Sequence, residues 1–431
     1  MKNVIPPVKG TRDFYPEQMA VRTWLYGMVR RVSESFGYQE WEAPILESLD
    51  LYAAKSGEEL VKKQSYVFTD RGGDEITLRP ELTPSLARMI AQKQAELAFP
   101  ARWWSFGPFW RYEKMQKGRS REFFQWNIDM LGVNSPEADA ELVAIAAAFL
   151  KAVGLTPAQA RIYVNNRRFM DAEFERLAIP DNMKAAVSAL VDRREKMEPP
   201  AWEAFALELG LTAGQLEGLK SLLADGEAWR RSEELVRLFA ALDALGAAEY
   251  VQFDPNIMRG LLYYTGTVFE AFDVSGSLKR AILGGGRYDN LLRDVGGEPL
   301  SGVGFAMGDV VIGLVLQELG LIPQLATTPS SVLVTVFSPE LQPESLKLAA
   351  QLRQAGLNVT CYPEAAKLPK QFKFADRMGL RAVLVLGPDE LAQGRLTLKD
   401  LSSSTQTVID RADILKALQQ LVDSGNRANN P

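Results

Sequence analysis

Histidine is absent from all 431 residues of the chain. That one absence excludes Ser–His–Asp triads, Cys–His pairs, histidine general bases and the ordinary zinc sites together. Cysteine occurs once, at Cys361, so no intrachain disulfide forms. Long apolar runs are also missing: the longest, Gly302 to Leu316, is interrupted by Asp309, and Met1 to Pro16 has no apolar core of signal-peptide type. A soluble, cytoplasmic protein without a membrane partner is expected. There is no glycine-rich GKS/T phosphate loop, and Gly284 to Gly286 do not form GxGxxG, so the ordinary nucleotide folds are not expected. A net charge of −5 and a pI near 5.3 rule out a globally basic nucleic-acid binder and confine any RNA contact to local patches.

What remains for chemistry is carboxylates, Arg, Lys, Tyr and backbone amides, a set suited to positioning and charge neutralisation, as in phosphoryl and nucleotidyl transfer. The most informative stretch is Arg102 to Gly132. Two aromatic-rich arms (Trp103, Trp104, Phe106, Phe109; Phe123, Phe124, Trp126, Met130) read as strands. Between them, residues 111–121 hold five bases (Arg111, Lys114, Lys117, Arg119, Arg121) against one acid, Glu113. A cationic loop lifted by two antiparallel strands suits a polyphosphate or a nucleic-acid end. On charge alone it reads equally well as a solvated hairpin tip.

The spelling of this stretch resembles a known family. Phe109-x-Arg111-x-Glu113, a basic loop and a second strand resemble motif 2 of class II aminoacyl-tRNA synthetases. The continuation QKGRSREFFQWNIDMLG is similar to histidyl-tRNA synthetases, nearest the branch whose second strand reads QWN followed by an acid. Met258 to Asp273 (MRGLLYYTGTVFEAFD) and Leu283 to Asp289 (LGGGRYD) are specific to that family and its close relatives. Lys9 to Phe14 opens the similar region, which runs to about Val422.

A helix with Val21, Trp24, Leu25, Met28, Val32 and Phe36 on one face is stopped by Gly37. The strand expected next, Tyr38 to Leu46, holds Pro44, which argues for an edge or an interface; by the resemblance, helix and strand are motif 1 and make a homodimer. Val67-Phe68 and Ile76 to Leu78 flank the turn residues Asp70 to Gly73, a hairpin. In TLRPELTPSLARM, Pro84 and Ser85 suit a first helical turn, leaving Glu81 and Thr83 on the preceding loop. Ser135-Pro136 opens another helix, closed at Gly154, with Leu142, Ile145 and Phe149 as core. Residues from about 165 to 248 read as a helical insertion without a chemical motif. Thr267 to Asp273 and Leu278 to Leu283 read as a hairpin. Adjacent Tyr263 and Tyr264 point to opposite faces if extended.

Gly302 to Leu316 occupies the position of motif 3, but Val311 stands where most class II enzymes carry an ATP-clamping arginine. Leu262 and Phe123 or Phe124 depart similarly, the last from a histidine in relatives. After a linker at 326–331, short apolar strands (residues 332–337, 357–362 and 382–387) alternate with helices such as Glu344 to Ala355. The expected fold is therefore α/β. It comprises a catalytic α+β domain (1–325) built on an antiparallel sheet flanked by helices, and a C-terminal α/β domain (332–431) with a partly parallel sheet. KQFKFADRMG, with Lys367, Lys370, Lys373, Arg377 and Arg381 nearby, resembles the family's anticodon-binding domain.

The resemblance implies a histidine–tRNA ligase that uses ATP with Mg2+, no zinc, L-histidine, and the acceptor end and anticodon of tRNA(His). It implies that Arg259 and Arg111 are catalytic, neutralising the carboxylate and α-phosphate. Glu81, Leu82 and Thr83, with Gln125, would take the ammonium, and Asp129 and Tyr264, with Tyr263 beside them, the imidazole. Glu113 would orient the nucleotide, and Arg119 and Arg121 would serve ATP or the tRNA acceptor end. Two alternatives stay open: a non-catalytic regulatory subunit of ATP phosphoribosyltransferase, and a class II synthetase for glycine, proline or threonine.

Overall fold

The computed structural model describes residues 4–53, 64–258, 264–276, 280–290 and 292–428. The chain forms two compact units, one of Met1–Asp13 with Leu25–Ile322, the other of Phe14–Trp24 with Pro323–Pro431.

Helix α1 (Pro16–Ser35) is divided between the units at Trp24 and Leu25; its first-unit part buries Leu25, Val29 and Val32, with Met28 half-buried, and ends at Gly37, whose φ of +80° closes the turn. The single strand expected over Tyr38 to Leu46 is instead two: β1 (Gln39–Glu40) and β2 (Leu46–Ser48), in different sheets. Pro44 lies between them, because it has no N–H to give a ladder. After α2 (Asp50–Ala53), β3 (Tyr66–Thr69) and β4 (Glu75–Leu78) form the expected hairpin, and β2 joins it in a three-stranded sheet. Helix α3 (Thr83–Lys93) starts one residue earlier than expected, so Thr83 is its first residue and not part of the loop.

The two aromatic arms are β5 (Ala101–Trp110) and β6 (Glu122–Leu131), antiparallel over ten residue pairs from Ala101↔Leu131 to Trp110↔Glu122. Helix α4 (Pro136–Ala152) is capped by Ser135, whose side chain accepts from the Ala138 N–H, and its Leu142, Ile145 and Phe149 are fully buried. Strand β7 (Ala160–Asn166) leads into the insertion: α5 (Arg167–Arg176), α6 (Asp181–Asp192), α7 (Pro199–Glu208), α8 (Ala213–Ala224) and α9 (Glu233–Ala244). The chain returns through β8 (Val251–Phe253), β9 (Thr267–Asp273), β10 (Ala281–Tyr288), β11 (Gly302–Gly308) and α10 (Asp309–Glu318). The second arm of the β9–β10 hairpin thus runs through the GGGRY glycines instead of ending at Leu283.

Eight strands form one sheet in the order β1-β5-β6-β11-β10-β9-β7-β8, antiparallel except at its two ends. Period-two alternation sorts its faces. On one, Phe124, Trp126, Ile128 and Met130 are buried; Trp126 meets Phe149 of α4 at 5.3 Å and Phe305 at 4.8 Å between ring centroids. The other carries Phe123, Gln125, Asn127 and Asp129 along β6, and α3 packs Leu82, Leu86 and Ile90 into the cluster beside it. Polar residues in the centre of a buried sheet mark the second face as the working one.

In the second unit, β12 (Val332–Val334), α11 (Gln342–Gln354), β13 (Val359–Cys361), α12 (Leu368–Arg377) and β14 (Ala382–Val385) form a parallel α/β unit. Helix α13 (Pro388–Ala392) and an antiparallel pair, β15 (Arg395–Asp400) and β16 (Gln406–Asp410), extend it, and α14 (Ile414–Ala428) closes it. Among the described residues no helix is long and apolar enough to cross a membrane.

Candidate active site

The site is organised by one row across the sheet. Asp129 on β6 pairs with Gly304 on β11, Gly304 with Gly286 on β10, and Gly286 with Val268 on β9. Two adjacent glycines open a trough about 10 Å wide, two strand spacings. Side chains from the rim lean into it. A Cβ at Gly304 would overlap the Asp129 carboxylate, and one at Gly286 would lie 2.8 Å from the Tyr264 ring. Two residues along, on the same face, the Tyr288 ring lies over Gly302. Asp129 and Tyr264 therefore meet at one place on the sheet.

The Tyr288 hydroxyl donates to Asp129 Oδ1 at 2.5 Å; among the described residues no partner engages Oδ2. Burial pushes the Asp129 carboxyl up to about 7, against the opposing pull of the Tyr288 hydrogen bond. Such a group gives or takes a proton near neutrality and can pair with either N–H or N of a small heterocycle. Gln125 and Asn127 continue the face, joined by a 2.8 Å hydrogen bond.

At the loop end of the same strand, the Arg111 guanidinium lies 5.3 Å from the Phe123 ring centroid, and its Nε donates to the Pro80 carbonyl at 2.9 Å. That bond ties Arg111 to the corner where Glu81, Leu82 and Thr83 enter α3. Leu82 is buried as the helix cap residue, while the Glu81 and Thr83 side chains remain half-exposed, and the Tyr52 hydroxyl donates to the Glu81 carbonyl. Phe123 is six residues, about 20 Å, from Asp129 along β6. Glu113 and Arg119 pair with each other at 2.6 Å. Arg121 stacks on Tyr112 at 3.9 Å and packs its stem against Gly10, whose carbonyl accepts from the Arg121 and Glu122 N–H groups. Arg259 and Tyr263 lie outside the described residues, as does Leu262.

Four residues that the sequence reading passed over support these groups, Tyr288 among them. Fully buried Arg79 pairs with Glu42, donates to the Ala43 and Pro108 carbonyls, and stacks on Phe109 beneath Arg111. Buried Arg287 pairs with Asp139 and donates to the Val133 carbonyl, fixing β10 to α4; burial pushes Asp139 up while Arg287 pulls it down. Arg12 pairs with Asp309 at 2.8 Å, and Asp309 Oδ1 also accepts from the Phe124 N–H. Tyr288 was the one with a readable signal, since in GGGRYD it shares a face with Gly286 two residues before it. Among the described residues no group of three metal-ligating side chains converges.

A family model described as histidyl-tRNA synthetase matches residues 10–309. The chain belongs to the histidyl-tRNA synthetase family. A model described as anticodon binding domain matches residues 331–421. Among similar histidyl-tRNA synthetases, the "Histidine--tRNA ligase, chloroplastic/mitochondrial" of Arabidopsis thaliana is 37% identical over 95% of this chain and 86% of its own length. The "Histidine--tRNA ligase" of Opitutus terrae is 38% identical over 94% of this chain and 96% of its own. The crystal structure of histidyl-tRNA synthetase from Nostoc sp. PCC 7120 superposes with a TM-score of 0.84 at 29% identity, covering 97% of this chain and all of that one. Where this synthetase has Phe123, the ring packs against both Phe109, 5.8 Å away, and Arg111. An apolar ring fits that position without a buried polar atom.

Proposed function

We propose that this chain is a histidine–tRNA ligase working by two transfers at the sheet's polar face. The histidine carboxylate attacks the α-phosphorus of ATP, forming the mixed anhydride histidyl-adenylate and expelling pyrophosphate. A terminal ribose hydroxyl of tRNA(His) then attacks the acyl carbon, giving the ester and releasing AMP. The single observation that carries the substrate assignment is the Asp129–Gly304–Gly286 row with Tyr264 above it, a slot whose carboxyl titrates near neutrality. Asp129 and Tyr264 take the two imidazole nitrogens, so that an amino acid lacking them leaves buried polar groups unpaired. Glu81, Leu82 and Thr83, with Gln125, hold the ammonium, and Tyr263 is assigned to histidine binding.

Arg111 and Arg259 neutralise the charge that builds on the α-phosphate and carboxylate, which is where such a site gains most. Glu113, Arg119 and Arg121 bind the nucleotide, Mg2+ arriving with ATP as part of the substrate. None of these roles needs a histidine side chain. The second unit is read as the anticodon reader; on its basic helix α12, buried Gln371 bonds the Val336 backbone in both directions, fixing the helix to the sheet. The first helix and edge strands are read as the homodimer face, and the enzyme as cytoplasmic.

ATP–pyrophosphate exchange against a panel of amino acids tests the reading. Exchange with histidine alone is expected. Exchange with glycine, proline or threonine instead would transfer the chain to another specificity, and none with any amino acid would favour a regulatory subunit.

A further inference from the structure

The basic loop between β5 and β6 closes against two other elements at one point. A Cβ built on Gly118, at the loop tip, would lie 3.1 Å from Arg280 Cδ, 3.6 Å from Arg280 Nε and 3.5 Å from Val311 Cγ2. Gly118 has φ +81° and no side chain, so it lets the arginine stem and the first turn of α10 meet the loop. Arg280 precedes β10, is half-buried, and makes no ion pair or hydrogen bond with any described residue. Its neighbours are otherwise engaged. Arg119 pairs with Glu113, Arg12 with Asp309 Oδ2, and the second Asp309 oxygen takes the Phe124 N–H. The Glu113 and Asp309 carboxylates are thus committed elsewhere, and Lys117 and Arg119 flank Gly118 in sequence with like charge. A half-buried guanidinium against a basic loop, with no carboxylate partner among the described residues, is a donor set for a polyanion.

We propose that Arg280 binds the distal phosphates of the nucleotide, supplying the cation that Val311 does not. This deepens the proposed function and rests on it. The triphosphate tail lies under the basic loop, with Arg280 closing it from the β10 side. The pair Val311 and Arg280 moves the guanidinium from the helix to the adjoining loop while keeping it at the same corner. Arg280 is a binding group that touches the β- and γ-phosphates and has no contact with AMP.

The test is calorimetric titration of the full-length protein, with Mg2+, by ATP and separately by AMP. Arg280→Ala is expected to weaken ATP about tenfold or more, the scale of one lost charged hydrogen bond, and to leave AMP unchanged. Arg280→Lys should fall between, and Val311→Arg added to Arg280→Ala should restore ATP binding. Unchanged ATP affinity in Arg280→Ala, or equal loss of ATP and AMP, would overturn the proposal while histidine-dependent exchange by the wild type left the ligase reading standing. A wild type that binds no ATP would sink both.

Discussion

Tyr288→Phe removes one oxygen and leaves a buried ring in place over Gly302. The lost hydroxyl is the donor to Asp129 Oδ1 at 2.5 Å, and it stabilises the ionised carboxylate. A hydrogen bond to a charged group is worth about 1.5–3 kcal/mol. At 1.36 kcal/mol per pH unit this raises the Asp129 midpoint, already about 7, by roughly one to two units. At pH 7 the ionised fraction then falls from about a half to between about a tenth and a hundredth. If the carboxylate must accept from the imidazole N–H, KM for histidine at pH 7 rises about five- to fiftyfold, and the deficit shrinks to within about twofold by pH 9. Histidine itself titrates near pH 6.5, but that contribution is common to both proteins and cancels in their ratio. The assay is histidine-dependent exchange from pH 6 to 9, with KM for ATP as the internal reference. A ratio that does not change with pH, or an equal rise in KM for ATP, would refute the reasoning.

The remaining predictions concern stability and space. Asp129 has a folded midpoint above its unfolded one, so the native state holds the extra proton between about pH 4 and 7 and loses stability as pH rises through that window. A shift from 3.8 to about 7 sets a ceiling of about 4 kcal/mol. Asp129→Asn should therefore raise Tm at pH 8 and change it little at pH 4; a gain that is larger in acid would contradict this. Arg287→Met should cost about 3–5 kcal/mol by stranding buried Asp139, with much of it regained in Arg287→Met/Asp139→Leu. Urea unfolding of the two variants decides the point, and a loss under about 1 kcal/mol in the single variant would count against it. Gly304→Ala should drive a methyl into the Asp129 carboxylate and abolish measurable histidine binding by calorimetry while ATP still binds; normal histidine affinity would show that the slot lies elsewhere.

Much of this arrangement was legible before the fold, for identifiable reasons. The β5–β6 hairpin shows itself because aromatic runs with a basic interval have few other homes, and α4 because Ser135-Pro136 and Gly154 mark both ends. The eight-stranded order was not legible, since β1 and β8 are two and three residues long and join the sheet by parallel pairing at its ends. Pro44 was read as an edge-strand residue when it is the break between two sheets. The β15–β16 pair was passed over because its strand Gln406–Asp410 is mostly exposed and polar. In the site, Asp129, Gln125 and Arg111 stood out by the resemblance. Tyr288, Arg79 and Arg280 did not, because what matters about each is a partner, or the want of one, tens or hundreds of positions away in the chain.

The account rests on a folded chain without histidine side chains that couples histidine to RNA. Charging of purified tRNA(His) with labelled histidine in the presence of ATP and Mg2+ measures that directly. A plateau near one histidine per tRNA, not given by unrelated tRNAs, is the result predicted; no charging by protein shown to be folded and to bind ATP would contradict it.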